Sequence, residues 1–200
     1  MCLKYKTVNT FFDFLIKIFR GILFLRISMN DKKQVINTKR LILRNLKEDD
    51  FNDMISIVKN PRVYATYMIP DLLTDEEEKI FYKKLMNICE SNKQIAYGIE
   101  YNNKIIGFIN SVFIEDKNIE IGYFIDPKYW NQGFATEALQ VMIKELFTIG
   151  FKTVICGHFK ENLASGRVMQ KAGMLLIDKE DTVSYRGEEH VCVYYQINVR

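Results

Sequence analysis

The sequence has no cysteine pair in C-x-x-C spacing. Its four cysteines, Cys2, Cys89, Cys156 and Cys192, are scattered, and His158 and His190 complete no zinc pattern with them. No metal site is expected. The thiols read as buried or inert in a reducing compartment, which points to the cytoplasm. There is no G-x-x-x-x-G-K-[ST] phosphate loop and no G-x-G-x-x-G turn. Internal repeats and low-complexity tracts are missing too. The net charge of +3 hides a further absence. Residues 1–28 carry Lys4, Lys6, Lys17, Arg20 and Arg26 against Asp13, a balance of +4, so the remaining chain stands at −1. A body without basic excess argues against nucleic-acid binding.

What is present fits one domain. Two hundred residues, 48% apolar and 26% charged, can bury a substantial core. Residues 1–28 stand apart as a hydrophobic extension ahead of a domain at 29–200. Asp13, Lys17 and Arg20 fall at i, i+4 and i+7, giving a helix there one narrow polar stripe. The charges interrupt the apolar run too often for a transmembrane span, and no small-residue cleavage site follows. Two readings stay open. One is an interfacial amphipathic helix touching a membrane or partner. The other, which is preferred, is a natural start at Met29.

From Thr38 the pattern is regular. Leu41–Arg44 reads as a strand. An acidic turn at Lys47–Asp50 opens a helix that Asn60-Pro61 ends. Residues 62–73 read as a loop holding Tyr64, Tyr67 and Met68. Thr74-Asp75-Glu76-Glu77 is a capping box for a second helix reaching Glu90. The period then changes to two. Strands at 95–101, 104–114 and 119–126 follow with short turns, an antiparallel meander with a bulge expected at Gly107. Ala135, Leu139, Met142, Ile143, Leu146 and Phe147 share one helical face, and Gly150 ends that helix. A buried strand at Thr153–Phe159, a helix from Asn162 to Lys171, and two strands, Met174–Ile177 and Val191–Ile197, around a Tyr185-Arg186-Gly187-Glu188 turn complete the chain. The expectation is a mixed α/β (α+β) domain with a mostly antiparallel central sheet and about four helices.

Between the third meander strand and the helix lies Trp130-Asn131-Gln132-Gly133-Phe134-Ala135-Thr136-Glu137-Ala138. A small-residue turn entering a helix presents unpaired N–H groups backed by the positive end of the helix dipole. That suits a phosphate or pyrophosphate, and Gly133 and Ala135 permit close approach. By itself the signal is weak, since most such turns bind nothing. Farther on stand Asn162, Ser165, Lys171 and Gly173, in the pattern Asn-x-x-Ser with Lys-x-Gly beyond, and Glu120-Ile121-Gly122-Tyr123 precedes the turn.

With these three motifs in this order, the chain from about Thr38 to Asn198 resembles the GNAT superfamily of N-acetyltransferases. It looks most like the RimJ/RimL branch of ribosomal-protein N-alpha-acetyltransferases. Trp130 replaces the usual Gln or Arg of the first motif, as is familiar in that branch, and Asn131 stands where glycine is frequent. The resemblance implies a single GNAT-type domain that transfers acetyl from acetyl-CoA to a primary amine by direct attack in a ternary complex. The amine would belong to a protein N-terminus or a small molecule, and the enzyme would be a monomer or homodimer. It further implies that freed amides of Phe124, Ile125 and Asp126 pair with the pantetheine arm. Amides of Gln132, Gly133, Phe134, Ala135 and Thr136 would hold the pyrophosphate. Asn162 would bond the pantetheine, and Lys171 would lie near a phosphate.

The chemistry asks for a base to take the amine proton, a donor for the oxyanion and an acid for the thiolate. An amide near Phe124 is the candidate oxyanion donor. Glu120 is the candidate base, through water, with a cross-strand salt bridge as its alternative. Ser165 is the candidate acid, with a simple hydrogen-bonding place at N3 of the helix as its alternative. Asn162, likewise, reads either as coenzyme ligand or as N-cap only. Many relatives carry a tyrosine seven residues after the motif asparagine; Met169 stands there, which excludes that acid. Tyr64, Tyr67 and Met68 are expected either to line the acceptor pocket or to pack their loop. His158 is expected as a core or wall histidine, and Tyr194 and Tyr195 as sheet aromatics. A different function class, a catalytically silent acyl-CoA-binding regulatory module, fits the same motifs.

Overall fold

The computed structural model describes residues 35–199, so both readings of residues 1–28 lie outside the described residues. The elements are β1 (Val35–Asn37), β2 (Ile42–Arg44), α1 (Phe51–Val58), α2 (Pro61–Tyr64), α3 (Asp75–Glu90), β3 (Ala96–Tyr101), β4 (Lys104–Glu115), β5 (Asn118–Ile125), α4 (Phe134–Thr148), β6 (Thr153–Phe159), α5 (Leu163–Lys171), β7 (Leu175–Tyr185) and β8 (Glu188–Asn198). The strands make one eight-stranded sheet in the order β1-β2-β3-β4-β5-β6-β8-β7. Only β5 and β6 pair in parallel. No helix among the described residues is long and apolar enough to cross a membrane.

Two apolar layers sandwich this sheet. Phe134, Ala138, Leu139, Met142, Ile143 and Leu146 of α4 pack with Met169 of α5 against Ile119, Ile121 and Ile125 of β5. Helices α1 to α3 cover the other face, where Met54, Ile55, Phe81 and Leu85 meet Phe108 and Phe124. Strand β5 therefore feeds both layers, odd residues to one and even residues to the other, as its period of two dictates.

Three elements differ from the sequence-based expectation. Strand β1 escapes notice because only Ile36 of its three residues is buried. Helix α2 lies within the expected loop; the Asn60 side chain accepts the Arg62 N–H at 3.0 Å, and Pro61 sits in the first turn. Strand β7 runs eleven residues rather than four. Its Asp178-Lys179-Glu180-Asp181 stretch has no apolar alternation to reveal it, and its pairing with β8 supplies what the side chains do not. With α2 the described residues hold five α-helices, one more than the sequence suggests.

The meander is as expected, and the irregularity near Gly107 is present: Ile99 pairs with Gly107 while Glu100 pairs with Ile105. A Cβ on Gly107 would stand 2.3 Å from the Phe124 carbonyl oxygen and 3.1 Å from the Ile125 Cα. These are backbone atoms and cannot swing aside. Gly107→Ala is expected to destabilise the domain by about 1–3 kcal/mol, read as a lower urea midpoint. An unchanged midpoint would mean that β5 shifts freely.

Candidate functional site

Strands β5 and β6 pair only from Asn118/Thr153 to Glu120/Ile155. Beyond Glu120 they part, and β5 continues to Ile125 alongside β4 alone. The amides on the open side of β5 can be identified. Asp126 N–H donates to the Ile106 carbonyl at 2.7 Å, so it points at β4. Alternation puts the Phe124 amide on that same side. The Ile125 carbonyl instead faces the gap, where it accepts the Trp130 indole N–H at 2.7 Å. The freed amides are therefore those of Tyr123 and Ile125. This corrects the sequence-based assignment for Phe124 and Asp126, whose N–H groups are turned toward β4; the strand was placed correctly and the phase of its hydrogen bonds was not.

The gap opens into a cavity of about 270 Å³. Of the residues expected to bind a coenzyme, Phe124, Ile125, Gly133, Phe134, Ala135, Thr136, Asn162 and Lys171 line it, and so does Ser165. Asp126, Gln132 and Glu120 do not. The Asp126 side chain accepts the Lys128 N–H at 3.0 Å, capping a short 3-10 turn. Gln132 faces away, its carbonyl held by Arg40 and its side chain by the Lys128 carbonyl.

Local sequence explains why the turn is open. Asn131 and Gly133 both adopt left-handed backbone, at φ 61° and 81°. Asparagine and glycine are the residues that do so at least cost. Gly133 is the N-cap of α4 and has no side chain with which to satisfy the first amides. The N–H groups of Phe134, Ala135 and Thr136 have no intrahelical acceptor by geometry, and all three residues line the cavity. Arg167 and Lys171, one turn apart on α5, line it as well, and no acidic residue does. An uncapped helix N-terminus, two cations and no carboxylate together suit a polyanionic ligand. Trp130 lines the cavity as well, its ring covered by the Arg62 guanidinium at 4.5 Å.

On α5, Asn162 caps the helix: its Oδ1 accepts the Ser165 N–H at 3.3 Å, and its Nδ2 donates to Ser165 Oγ at 3.0 Å. The cap reading of Asn162 and the N3 reading of Ser165 are thus both present, and both residues also line the cavity. The Tyr123 hydroxyl donates to the Ser165 carbonyl at 3.3 Å. Burial pushes its pKa up, and the Ser165 contact only partly offsets this. Tyr123 was not singled out as a site residue from the sequence, although the alternation around Glu120 already set it on the opposite face.

Glu120 is on that opposite face, with Gly122 and Phe124. A Cβ on Gly122 would meet Tyr67 Oη at 2.7 Å. Tyr67 packs edge-on against Phe124 at 5.1 Å and donates to Asn110 Oδ1 at 2.9 Å. Burial raises the Glu120 pKa; Lys179 draws it down and Asp181 pushes it further up. No cross-strand salt bridge of Glu120 is present among the described residues; Lys179 pairs with Asp181 instead, at 3.5 Å. Tyr64 lies under the Arg186 guanidinium at 4.2 Å, and Met68 packs with Phe159, Tyr185, Cys192 and Tyr194. His158 is buried, its Nδ1 2.7 Å from the Phe159 carbonyl oxygen. Met169 is in the core. Among the described residues, no group of three or more His, Cys, Asp or Glu is placed to hold a metal.

A splayed parallel pair with an open helix N-terminus at its mouth suits a phosphate-bearing ligand on a mixed α/β sheet, and comparison with known proteins gives the family. A family profile described as an acetyltransferase (GNAT) domain matches residues 40–175, and the chain belongs to that family of acetyltransferases. The Bacillus subtilis (strain 168) protein called uncharacterized N-acetyltransferase YoaA is 27% identical over 144 residues, covering 70% of this chain and 81% of that protein. A crystal structure of a GNAT-family acetyltransferase from Bacillus anthracis is 26% identical, with a TM-score of 0.70 over 82% of this chain and 98% of that one. RimL, a ribosomal L7/L12 alpha-N-protein acetyltransferase solved with coenzyme A, is 20% identical. Its TM-score is 0.69 over 82% of this chain and 98% of its own, a likeness of fold.

Proposed function

We propose that the protein transfers acetyl from acetyl-CoA to a primary amine of a protein N-terminus or small molecule. The observation that carries this reading is the uncapped N-terminus of α4 at the mouth of the β5/β6 gap, inside a cavity lined by cations and no carboxylate. The pyrophosphate sits on the amides of residues 133–136, with Arg167 and Lys171 beside it. The pantetheine arm runs along β5 and bonds the backbone of Tyr123 and Ile125. The coenzyme A found with RimL supports this choice of ligand.

The amine enters from the Tyr67 face. Its nitrogen attacks the thioester carbonyl carbon, an N–C bond forms, and the oxyanion takes a hydrogen bond from a freed β5 amide. Glu120 takes the amine proton through water. Collapse breaks the C–S bond, and the thiolate leaves as CoA, receiving a proton from Ser165 or solvent. Direct transfer is favoured over an acyl-enzyme because no cysteine lines the cavity. Burial holds the Cys156 thiol protonated.

The test is free-thiol release from acetyl-CoA against a panel of amines and N-terminal peptides. Amine-dependent release is expected. Absence of acetyl-CoA binding overturns the reading; binding with no release across the panel favours the silent acyl-CoA-binding module instead. Ser165→Ala separates the roles of that residue. Loss of the Asn162 contact alone costs about 0.5–1.5 kcal/mol of stability. A fall in kcat on top of that, largest at high pH, identifies Ser165 as the acid.

A further inference from the structure

We infer that Arg40 is a positioning residue that sets the pyrophosphate turn, an inference that rests on the function proposed above. Arg40 lies just before β2, far in sequence from α4, and is not in the cavity wall. Its Nη1 donates to the Gln132 carbonyl at 2.9 Å. Its Nε donates to Glu137 Oε2 at 2.7 Å, and its backbone N–H to Glu137 Oε1 at 2.8 Å. Its guanidinium stacks on Phe134 at 4.2 Å. One side chain thus touches residues 132, 134 and 137, which bracket the turn.

Two consequences follow from elementary geometry. The C=O and N–H of a planar trans peptide point in opposite directions. Holding the Gln132 carbonyl from behind therefore turns the Gly133 N–H away from Arg40, and Gly133 lines the cavity. The second consequence is electrostatic. Glu137 stands in the first turn of α4, where a free carboxylate would repel an incoming pyrophosphate. Arg40 and the Thr38 hydroxyl, at 2.6 Å, draw that carboxylate behind the helix. Burial pushes its pKa up, but these bonds overcome burial and hold it below the ordinary value. The pair is thus a charge-neutral clamp, and the anion meets only the amides.

Binding tests this without knowledge of the acceptor amine. Trp130 is the only tryptophan and lines the cavity, so its fluorescence reports occupancy. The probes are CoA, 3′-dephospho-CoA and pantetheine. Arg40→Ala is expected to weaken CoA and 3′-dephospho-CoA by the same factor, on the order of tenfold or more. Pantetheine, which has no phosphates, is expected to bind as it does to the wild type. Arg40→Lys keeps the charge but cannot reach both Gln132 and Glu137 as a fork does, and is expected to fall between. Equal weakening of pantetheine overturns the inference, because the defect would then be general. So does undiminished CoA binding by either variant. Failure of the wild type to bind CoA is a different result: it removes the proposed function and this inference with it.

Discussion

Replacing Glu120 by glutamine is expected to lower kcat by about 10²–10⁴-fold in the thiol-release assay, while the domain becomes more stable. The two effects share one cause. Glutamine keeps the shape of the side chain and cannot accept a proton. Burial raises the Glu120 pKa, against a smaller opposing pull from Lys179, and a carboxylate with a raised pKa is a stronger base. In the wild type, kcat rises with pH through this raised pKa as the base form appears. That limb disappears in the variant. The stability sign follows from linkage. A group whose folded pKa lies above its unfolded value contributes stability that is fully present below the unfolded pKa and is lost as pH rises through the folded one. Above that folded pKa the ionised Glu120 is therefore a burden on the fold, and Glu120→Gln removes it. A higher Tm with lost turnover is the expected pair of readings. Unchanged turnover with the same pH profile would reduce Glu120 to a sheet residue and send the search for the base elsewhere on the Tyr67 face.

Arg44→Ala is expected to destabilise the domain by about 3–5 kcal/mol. Arg44 Nη1 and Nη2 donate to Asp50 Oδ2 at 2.6 Å and Oδ1 at 2.9 Å, while Nε donates to Glu100. All three residues are buried, at 9%, 8% and 9% exposure, so water does not screen the loss. Alanine would leave two carboxylates facing each other with no cation between them. Set against an ordinary domain stability of about 5–15 kcal/mol, this is a large fraction. Burial acts to raise the Asp50 pKa, but the Arg44 bonds and the Lys47 amide outweigh it and hold it below the usual value. Its contribution is therefore present above the unfolded pKa and lost as pH falls through the folded one. The gap between wild type and variant should narrow as pH drops below the usual carboxylate range. Urea unfolding at neutral and acid pH measures both points. A gap that stays constant with pH would mean that the arginine stem, rather than its charge, holds the site.

Much of this could be read in the residues. Period-two alternation revealed β3, β4 and β5, and the capping box Thr74–Glu77 marked the start of α3, where Glu77 N–H donates to the Thr74 hydroxyl at 3.2 Å. The turn at Gly133 was legible only together with the Glu120–Tyr123 and Asn162–Gly173 motifs, since most small-residue turns before a helix bind nothing. The continuation of β7 past Ile177 was not, since its order there comes from pairing with β8 and its own side chains carry charge rather than alternation. Arg40 was not legible either, because nothing local links a cation before β2 to a turn 92 residues later.

The sequence by itself determined the family, the order of all elements but β1 and α2, and the placing of Gly133, Ala135, Asn162 and Ser165 in the motifs from which the proposed coenzyme site is built. These are local facts, written in spacing and in backbone preferences of single residues. Tertiary structure alone decided which amides of β5 are free, which face Glu120 occupies relative to the cavity, and that Arg40 and Glu137 close behind the turn. Hydrogen-bond phase depends on which strand lies alongside, and a charge network depends on which distant segments pack together. Both are settled by the fold as a whole, because only the assembled sheet leaves β5 without a partner on its β6 side beyond Glu120.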